Sequence, residues 1–474
     1  MVSDEAGGRP EQRAVTFGEL NRQATSQRGR ATAAGKVRMD DIVVMDEYRL
    51  VCDLLADGCP VVFVTGNAGT GKSTLIRYLR QVVEKQMVVL APTGVAALNV
   101  EGATIHSFFR FPPRILDEED IKTLRDRKLY RKLELLVIDE VSMVRCDLMD
   151  AMDRFLRRNR GSSLPFGGVQ LLLIGDLFQL PPVVPRNVRE VLEARGYASP
   201  HFFSSFGLQQ TSLVPVELTS VYRQEDPTFI DLLNRVRVGD DVAEVTGELN
   251  ERCYRPGAAA PGITLTCTNN RADAINDDRL HRLPSAERSY TGKVDGHFSL
   301  EDDRLPSPMV LRLKENARVM FTRNDDQRRW VNGTMGTVRE VEQGGVLVEV
   351  GGEAGGQVYD VEPVTWETYR YTYDPSADRI VAEAIGTYTQ YPLMLAWAVT
   401  IHKSQGKTMD NVLVDLGSGA FASGQTYVAL SRCRTLEGMR LARPVRPSDI
   451  ICDPVVKRFY GALSDATAAK PRGA

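Results

Sequence analysis

The residues with the clearest chemical role lie between Gly66 and Ser73, where the sequence reads Gly-Asn-Ala-Gly-Thr-Gly-Lys-Ser. This run matches the pattern G-x-x-x-x-G-K-[ST], follows an apolar segment typical of a strand and opens a segment typical of a helix. Glycines let backbone N–H groups converge on phosphate oxygens, and the positive end of the helix points at the same anion. We therefore predict a nucleoside triphosphate site. Its predicted contacts are Gly66, Ala68, Gly69, Thr70, Gly71, Lys72, Ser73 and Thr74.

Within that site, Lys72 is expected to reach the β- and γ-phosphates, and Ser73 is expected to bind Mg²⁺. A second metal ligand is predicted at Asp139, which with Glu140 ends the apolar run 135–138. Ligands of open α/β sheets bind at the carboxyl ends of the strands. Asp139 is therefore expected to hold Mg²⁺, directly or through water, and Glu140 to act as general base for the attacking water. The alternative is a strand end with two solvated acids.

Three further side chains are predicted to sense or stabilise the γ-phosphate. Gln179 lies in the run 175–182, Gly-Asp-Leu-Phe-Gln-Leu-Pro-Pro, after another apolar strand, although such a run alone could be a strand ended by proline. Arg223 and Arg432 lie in a second α/β unit, where they could act as arginine fingers across a cleft. Such fingers make closure of the cleft depend on the γ-phosphate. For any single arginine, the alternative is a surface salt bridge.

The elements that must position these residues alternate between short apolar runs and amphipathic stretches. Buried parallel strands are predicted at 61–65, 87–91, 135–138 and 169–174, with helices at 73–83 and 146–158. The second unit has predicted strands at 263–267 and 412–415 and a helix at 226–238. Glycine pairs at 344–345, 351–352 and 355–356 and the alternation in 346–350 predict a small all-β insertion.

Composition sets the outer limits. The 474 residues fit two to four domains, and 43% hydrophobic with 26% charged residues is ordinary for a soluble globular protein. The net charge of -3 does not announce a polyanionic partner, although a basic channel can exist on an acidic protein. The seven cysteines are scattered without a CxxC pair, which argues against a disulfide framework or a zinc site. No membrane span or export signal is predicted.

The motifs in their order along the chain resemble those of the superfamily-1B helicases, most closely the Pif-type helicases, with RecD and Dda as cousins. Residues 166–170, Phe-Gly-Gly-Val-Gln, are similar to the stretch that marks the Pif branch, and the resemblance covers about residues 45–445. The motifs that carry it are 66–73, 91–94 (Ala-Pro-Thr-Gly), 104–108 (Thr-Ile-His-Ser-Phe), 137–140, 175–182, 221–224 (Val-Tyr-Arg-Gln), 400–406 (Thr-Ile-His-Lys-Ser-Gln-Gly) and 427–432.

This resemblance implies a Mg²⁺-dependent ATPase that moves 5′ to 3′ on single-stranded DNA and unwinds duplexes or G-quadruplex-like obstacles. It also implies an α/β fold of two RecA-like P-loop domains, with a wedge-bearing insertion in the first and an SH3-like all-β insertion in the second. The expected division of the chain is a mobile arm (1–40), a first RecA-like domain (41–215) with a short insertion at about 109–132, a second RecA-like domain (216–324 and 392–455), the SH3-like insertion (325–391) and a C-terminal tail (456–474).

The chain departs from the family at one place. Family members have a glutamine upstream of the phosphate-binding run that reads adenine, and the corresponding place here, near Glu47 and Tyr48, has none. Discrimination between ATP and other triphosphates is therefore expected to be loose or to use another group. Gly406 joins Gln179, Arg223 and Arg432 among the predicted nucleotide contacts outside the first run.

A sequence-indifferent motor should grip phosphates and stack bases. The predicted DNA contacts are Pro92, Thr93, Gly94, Ala96, His106, Ser107 and Phe108 in the first domain, and His402, Lys403 and Ser404 in the second. Phe108 could instead belong to a core and His106 could be a satisfied buried histidine. Trp330 and the Asn332-Gly333 pair could also contact DNA, or form a plain hairpin turn.

Three functions remain open at this point: a DNA helicase, a DNA-stimulated translocase ATPase without strand separation, and a nucleotide-binding signalling switch. The expected partners are single-stranded DNA and junctions of single and double strands, with no membrane and with a monomer as the translocating form. The expected location is the cytoplasm, at the nucleoid in a bacterium, with nucleus and mitochondria left open.

Overall fold

The structure, a computed structural model, describes residues 44–220, 223–224, 226–256, 262–298, 305–342, 344–351 and 356–468. The predicted arm at 1–40 lies outside the described residues, as do Val221, Tyr222, Gly352, Gly355 and the last part of the predicted tail, 469–474.

The first unit of the fold is built on a parallel sheet and covers residues up to Leu218. Each predicted strand of this unit forms within one residue of its expected bounds, because continuous apolar runs suit strands buried on both faces. Its elements in chain order are α1 (Asp46–Ala56), β1 (Val61–Gly66), α2 (Lys72–Val82), β2 (Met87–Ala91), α3 (Gly94–Asn99), β3 (Ala103–Thr104), α4 (Ile105–Phe109), α5 (Lys128–Lys132), β4 (Leu135–Ile138), α6 (Cys146–Arg160), β5 (Gln170–Ile174), α7 (Arg186–Ala194), α8 (Phe206–Gln209) and β6 (Leu213–Leu218).

The strand order of this sheet is β3-β2-β4-β5-β1-β6, and every pairing is parallel. The phosphate-binding run follows β1 and the acidic pair follows β4, two strands that β5 separates. The carboxyl ends of parallel strands meet at one edge, so the sheet places both motifs at the same crevice. This arrangement confirms the predicted α/β class.

The second unit has a smaller parallel sheet, interrupted in the chain by antiparallel strands. It begins with α9 (Pro227–Val238), α10 (Val242–Cys253), β7 (Ile263–Thr266) and α11 (Asn269–His281). The antiparallel strands follow: β8 (Arg288–Thr291), β9 (Lys293–Gly296), β10 (Val310–Leu313), β11 (Arg318–Phe321), β12 (Met335–Glu342), β13 (Gly345–Val350), β14 (Gln357–Val361), β15 (Val364–Asp374), β16 (Arg379–Gln390) and β17 (Leu393–Leu395). The unit then resumes with β18 (Ala398–Thr400), β19 (Val412–Asp415), α12 (Gln425–Leu430), β20 (Met439–Leu441) and α13 (Pro454–Ala468).

The parallel sheet of the second unit has the order β18-β7-β19-β20. The antiparallel region runs from Arg288 to Leu395, so it begins before and ends after the expected insertion at 325–391. Its main sheet has the order β14-β13-β12-β11-β17 around a core that includes Phe321 and Trp330, whose rings stack at 4.2 Å.

A long hairpin formed by β15 and β16 extends from this antiparallel region onto the first unit. The Tyr371 hydroxyl lies 3.3 Å from the backbone nitrogen of Val89, and the backbone nitrogen of Ile380 donates to the side chain of Gln86 at 2.7 Å. The hairpin therefore links the antiparallel region to the first parallel sheet at β2.

The end of the chain corrects one prediction. The expected tail from residue 456 contains instead the helix α13, which packs on the first unit through Phe459 and Tyr460. Phe459 stacks on Phe203 at 4.1 Å, and the Tyr460 hydroxyl lies 2.5 Å from that of Thr65. These contacts with distant residues stabilise a helix whose local sequence gives little signal of its own. Among the described residues, no helix has the length and apolarity needed to cross a membrane.

The expected wedge segment at 109–132 is tightly packed rather than free-standing. Phe109, Phe111 and Ile121 are buried in the core of the first unit. The buried Asn159 amide holds the segment through Leu124 N–H at 2.8 Å and through the carbonyl of Lys122 at 3.0 Å. Side-chain bracing of this kind fixes the segment to helix α6.

Candidate active site

The turn after β1 forms a cradle whose shape requires glycine at two points. Gly69 has φ +84°, and a Cβ there would lie 2.5 Å from Cβ of Arg223. Gly71 has φ +89°, and its Cβ would lie 2.6 Å from the Tyr48 hydroxyl oxygen. Both positions combine a left-handed backbone with close approach of a neighbour, so a larger residue would open or distort the cradle.

The lysine of the cradle is held over it by backbone carbonyls. Lys72 Nζ donates to the carbonyl oxygens of Gly66 and Asn67, each at 2.8 Å. Burial lowers the pKa of Lys72, and the nearby Asp176 and Glu140 carboxylates oppose that shift. The ammonium therefore stands where a phosphate could replace the carbonyls as its partner.

Two hydrogen-bonded side chains, Glu47 and Tyr48, occupy the place where the family has the glutamine that reads adenine. The Tyr48 hydroxyl donates to the carbonyl of Gly71 at 2.7 Å, and the Glu47 carboxylate accepts from the Thr219 hydroxyl at 3.0 Å. Tyr48 thus supports the cradle itself, and any reading of the base here rests on groups other than glutamine.

Asp139 and Glu140, the two acids after β4, lie against the cradle. Glu140 has an unusual backbone conformation. Glu140 has φ 50° and ψ 43°, a left-handed conformation that non-glycine residues rarely adopt and that is often found at functional sites. Burial raises the pKa of Glu140, while the Lys72 and Arg432 charges oppose the shift. Burial and the Glu140 charge together raise the pKa of Asp139. A raised pKa makes a carboxylate a better proton acceptor.

The donors near the cradle suit Mg²⁺ bound together with a nucleotide. Ser73 is exposed at the start of α2, and Asp139 is buried at the end of its strand. Among the described residues, no group of three or more His, Cys, Asp or Glu side chains could hold a metal alone. A site with one hydroxyl and one carboxylate fits Mg²⁺, which takes its remaining ligands from phosphates and water.

Both predicted arginines face the cradle from the second unit. Arg432 is 1% exposed, and its guanidinium donates to the Val428 carbonyl at 2.9 Å and to the Ser431 hydroxyl at 2.8 Å. Burial and then the Arg223 charge lower the pKa of Arg432 to about 9. Arg223 donates to the Ser431 carbonyl at 3.3 Å, and burial lowers its pKa. Two cations held this close, with Lys72 opposite, favour a polyanionic ligand between them.

Further contacts join the second unit to the cradle. The Ala68 backbone nitrogen donates to the Tyr427 hydroxyl at 3.0 Å, and Asn67 donates through its amide to Asn234 at 2.7 Å. Gln405 donates to the Glu140 carboxylate at 3.0 Å. The contact of Gly69 with Arg223 completes a seam that runs along the cradle. We call these contacts, with Arg432, the nucleotide seam.

The loop that carries Gln179 lies at the same seam. Gln179 is buried, and its amide donates to the Asp176 carboxylate at 3.2 Å. A Cβ on Gly424, at the start of α12, would lie 2.2 Å from the Phe178 carbonyl oxygen. The seam therefore also includes the predicted γ-phosphate sensor. Gly406, in contrast, is exposed in its turn, with open space around it.

A buried ion pair crosses the seam beside this loop. Asp176 is fully buried, and its carboxylate accepts from the Arg237 guanidinium at 3.0 and 3.2 Å. Burial opposes ionisation of Asp176, but the Arg237 and Lys72 charges hold its pKa below the ordinary value. The guanidinium also lies over the Phe178 ring at 4.7 Å, and Phe178 stacks on Tyr460 at 4.9 Å. This cluster attaches the second unit and α13 to the loop that carries Gln179 without using nucleotide.

We expect Arg237→Ala to destabilise the fold by about 3–5 kcal/mol, because it leaves the Asp176 charge buried without its partner. Denaturant unfolding should show a lower midpoint with an unchanged slope. The matched control is Arg235→Ala on the same helix, which removes pairs with exposed carboxylates of Asp231 and Glu244. That change should cost less than about 1 kcal/mol. Equal costs for the two variants would contradict the argument.

The residues predicted to contact DNA divide into accessible and buried sets. Pro92, Thr93, Gly94 and Ala96 are partly exposed at the start of α3, where the Thr93 hydroxyl caps the helix by accepting from the Ala96 nitrogen at 3.2 Å. Ser107, His402 and Lys403 are exposed, and His106 is partly buried. These residues keep their predicted role as an expectation.

Two members of the set do not fit that role. Phe108 is buried and makes edge contacts with Phe109, Tyr130 and Tyr371 at 4.9, 5.3 and 6.0 Å. A stacking ring needs an exposed face, so the core alternative describes Phe108. Ser404 is fully buried, and its hydroxyl donates to the Ile401 carbonyl at 2.7 Å. In this position the hydroxyl closes the loop and is not exposed to a strand.

Sequence reasoning missed several residues of the seam. Gln405, Asn234, Tyr427 and Arg237 were not assigned a role, although the first and third lie inside recognised runs. The signal for Arg237 was an arginine in the last turn of a helix that buries Phe229, Leu232, Leu233 and Val236. Its partner could not be identified before the two units were seen together.

The family model and the named relatives that match this chain are helicases. Residues 46–247 match the family described as PIF1-like helicase. The human ATP-dependent DNA helicase PIF1 is 38% identical over 418 residues, which cover 85% of this chain and 61% of the human protein. The ATP-dependent DNA helicase Pif1 of Bdellovibrio bacteriovorus is 34% identical over 442 residues, 91% of this chain and 95% of that protein.

Solved structures of Pif1 from Bacteroides sp. are similar over 90% of this chain and 98% of theirs, at 36% identity. The complex with ADP-AlF4 has a TM-score of 0.82, and the one bound to ssDNA has 0.65. The chain thus spans nearly the full length of its bacterial relatives and about three fifths of the human one.

Proposed function

The chain belongs to the PIF1-like helicase family, and from this we propose that it is an ATP-dependent DNA helicase that moves 5′ to 3′ along single-stranded DNA. The observation that carries the proposal is the nucleotide seam, in which Arg223 and Arg432 of one unit face Lys72 and Glu140 of the other. Duplexes and G-quadruplex-like obstacles are the proposed substrates.

In this proposal, ATP lies in the cradle with its γ-phosphate toward the seam. Lys72 leaves the carbonyls of Gly66 and Asn67 and neutralises the β- and γ-phosphate oxygens. Mg²⁺, held by Ser73 and Asp139, would supply further charge neutralisation at those oxygens. Glu140 accepts a proton from the attacking water.

The second unit completes the site from the other side. Arg223 and Arg432 stabilise the charge that develops on the transferred phosphoryl group. Gln179 donates to Asp176, which pairs with Arg237. Loss of a contact between Gln179 and the γ-phosphate would therefore reach the buried Asp176–Arg237 pair directly. Loss of the γ-phosphate would weaken the seam at the nucleotide, while this pair and α13 keep the units attached. Hydrolysis then becomes a hinge movement rather than a separation.

The strand is proposed to run over the polar loops of both units. Thr93, Gly94, Ser107 and the neighbouring groups of the first unit, and His402 and Lys403 of the second, offer donors and charge to backbone phosphates. Contacts of this kind carry no sequence information, which suits a motor that must travel over any sequence. The segment 109–132, braced by Asn159, would meet the duplex at the junction.

The proposal is tested by ATP turnover with and without a single-stranded oligonucleotide, together with unwinding of forked duplexes. We expect turnover to rise with the single strand and a duplex with a 5′ tail to be separated, while a duplex with only a 3′ tail stays intact. Stimulation without separation would support a translocase, and turnover indifferent to DNA would support a nucleotide switch. Either result would overturn the helicase proposal.

A further inference from the structure

A lysine that no motif explains lies just after the 400–406 run. The side chain of Lys407 is nine-tenths buried, with 9% of its surface exposed. Its backbone N–H donates to the Ser404 carbonyl at 3.0 Å, which fixes the residue in the turn. Within the described ranges, its ammonium forms no ion pair with any carboxylate. Burial, and then the Lys403 charge, lower the pKa of Lys407 to about 8.

The turn of the antiparallel insertion lies directly against this lysine. Gly333 has φ +97°, and a Cβ there would lie 3.2 Å from Cβ of Lys407 and 3.3 Å from the Thr408 carbonyl oxygen. The neighbouring Asn332 has a buried side-chain oxygen that finds no donor among the described residues. We call the surface formed by residues 402–408 and 331–334 the loop–turn junction.

These features indicate a binding site rather than a structural contact. A lysine side chain buried to this extent without a counter-charge costs stability, and a structural role would normally provide a carboxylate or carbonyl partner. Here a second cation, Lys403, lies close enough to lower the pKa further. Two lysines at one junction, one buried and one exposed, create a local positive potential that an anion would relieve.

We propose that Lys407 binds a backbone phosphate of single-stranded DNA at the loop–turn junction, where the strand passes from the second parallel sheet to the antiparallel insertion. This inference rests on the proposed DNA-translocating function, because that function brings a polyanionic strand to the exposed Lys403 beside it. A phosphate supplies the counter-charge that the protein does not provide, and the ammonium serves it as a point charge.

The contact has a specific dependence on pH. A phosphate favours the protonated ammonium, so DNA raises the pKa of Lys407 above its value of about 8 in the free protein. The contribution to affinity is fully present below the free-protein pKa and is lost as pH rises through the pKa of the complex. Affinity for DNA should therefore fall above pH of about 8, by up to roughly tenfold per pH unit for one proton.

The experiment measures binding of a fluorescently labelled oligothymidylate to the full chain across a series of salt concentrations and pH values. Lys407→Met keeps the aliphatic stem and removes the charge. We expect it to reduce the slope of log affinity against log salt by about 0.7, which is about a fivefold loss near 0.1 M salt. Lys407→Arg should retain affinity at neutral pH and lose the decline above pH of about 8, because guanidinium stays protonated.

The control is Lys457→Met on α13. This change removes an exposed ammonium whose nitrogen lies 3.9 Å from the Asp240 carboxylate. It should bind as the wild type does. Without DNA, Lys407→Met should unfold at the same or a higher temperature than the wild type, because it removes an unpaired charge from a largely buried side chain. A purely structural lysine would give the opposite shift.

Two results would overturn the inference. A salt slope and pH profile of the Lys407→Met and Lys407→Arg variants equal to those of the wild type would remove the phosphate contact and leave the helicase proposal standing. Absence of oligothymidylate binding by the wild type itself would instead remove the helicase proposal, and the inference with it. The wild-type measurement therefore separates the two failures.

Discussion

Arg432→Ala is expected to slow ATP hydrolysis about 10³–10⁵-fold while ATP still binds, as removal of an arginine finger does. The guanidinium is fixed by the Val428 carbonyl and the Ser431 hydroxyl, so little ordering remains to be done when the triphosphate arrives. It lies close enough to Glu140 to oppose the rise in that residue's pKa. The positive charge thus stands beside the general base, where charge develops in the transition state.

Single-turnover hydrolysis measures the loss of hydrolysis rate, and binding of a fluorescent ATP analogue shows whether the variant still binds ATP. Arg434→Ala is the matched control, since this exposed arginine two residues away pairs only with Asp410 at 3.3 Å among the described residues. Arg432→Lys should recover part of the lost rate at most, because a lysine keeps the charge but not the planar fork. Wild-type turnover in Arg432→Ala would mean that Arg432 does not contribute to catalysis.

The parallel sheets were the most predictable part of the molecule. A strand buried on both faces must be apolar throughout, so runs such as 61–65 and 135–138 carry their own structural signal. The cradle follows from the same strand because its glycines and lysine are adjacent in the chain. Chemistry that is local in sequence can therefore be predicted from sequence, and the positions of Lys72 and Glu140 agree with that principle.

The parts that sequence could not give are those that depend on contact between distant segments. Residues from 456 are predicted to form a tail, yet Phe459 and Tyr460 of helix α13 stack on Phe203 and Phe178. Of the two interpretations of Phe108, a ring that stacks on DNA or a ring in a core, the structure favours the core, where Phe109, Tyr130 and Tyr371 of the long hairpin pack against it. The partners of Phe459 and Tyr460, and one of the partners of Phe108, are hundreds of residues away in the sequence.

Only some of the residues at the nucleotide seam could be predicted from the sequence. Arg223 and Arg432 could be proposed because their runs are recognisable, whereas Arg237 has no such run around it. Its importance follows from Asp176, an acid that is fully buried and therefore requires a partner. Burial of one residue identifies the role of the other, and burial is a property of the assembled fold.

Lys72→Ala is expected to reduce ATP turnover by at least about 10²–10³-fold, the cost of removing one donor aimed at transition-state charge. The ammonium is held between two carbonyls of the cradle, so the charge is already in place when the triphosphate binds. Steady-state hydrolysis in the presence of single-stranded DNA measures the loss. Arg77→Ala, an exposed position on the same helix, is the control and should behave as the wild type.

Combining this change with Arg432→Ala tests whether the two cations act on the same phosphoryl group. Residues that act as a unit lose most of their effect with the first substitution, so the double variant should be little slower than the slower single variant. Independent sites would instead multiply their losses. A fully multiplicative loss would contradict a γ-phosphate shared between Lys72 and Arg432, even if each single variant were as slow as expected.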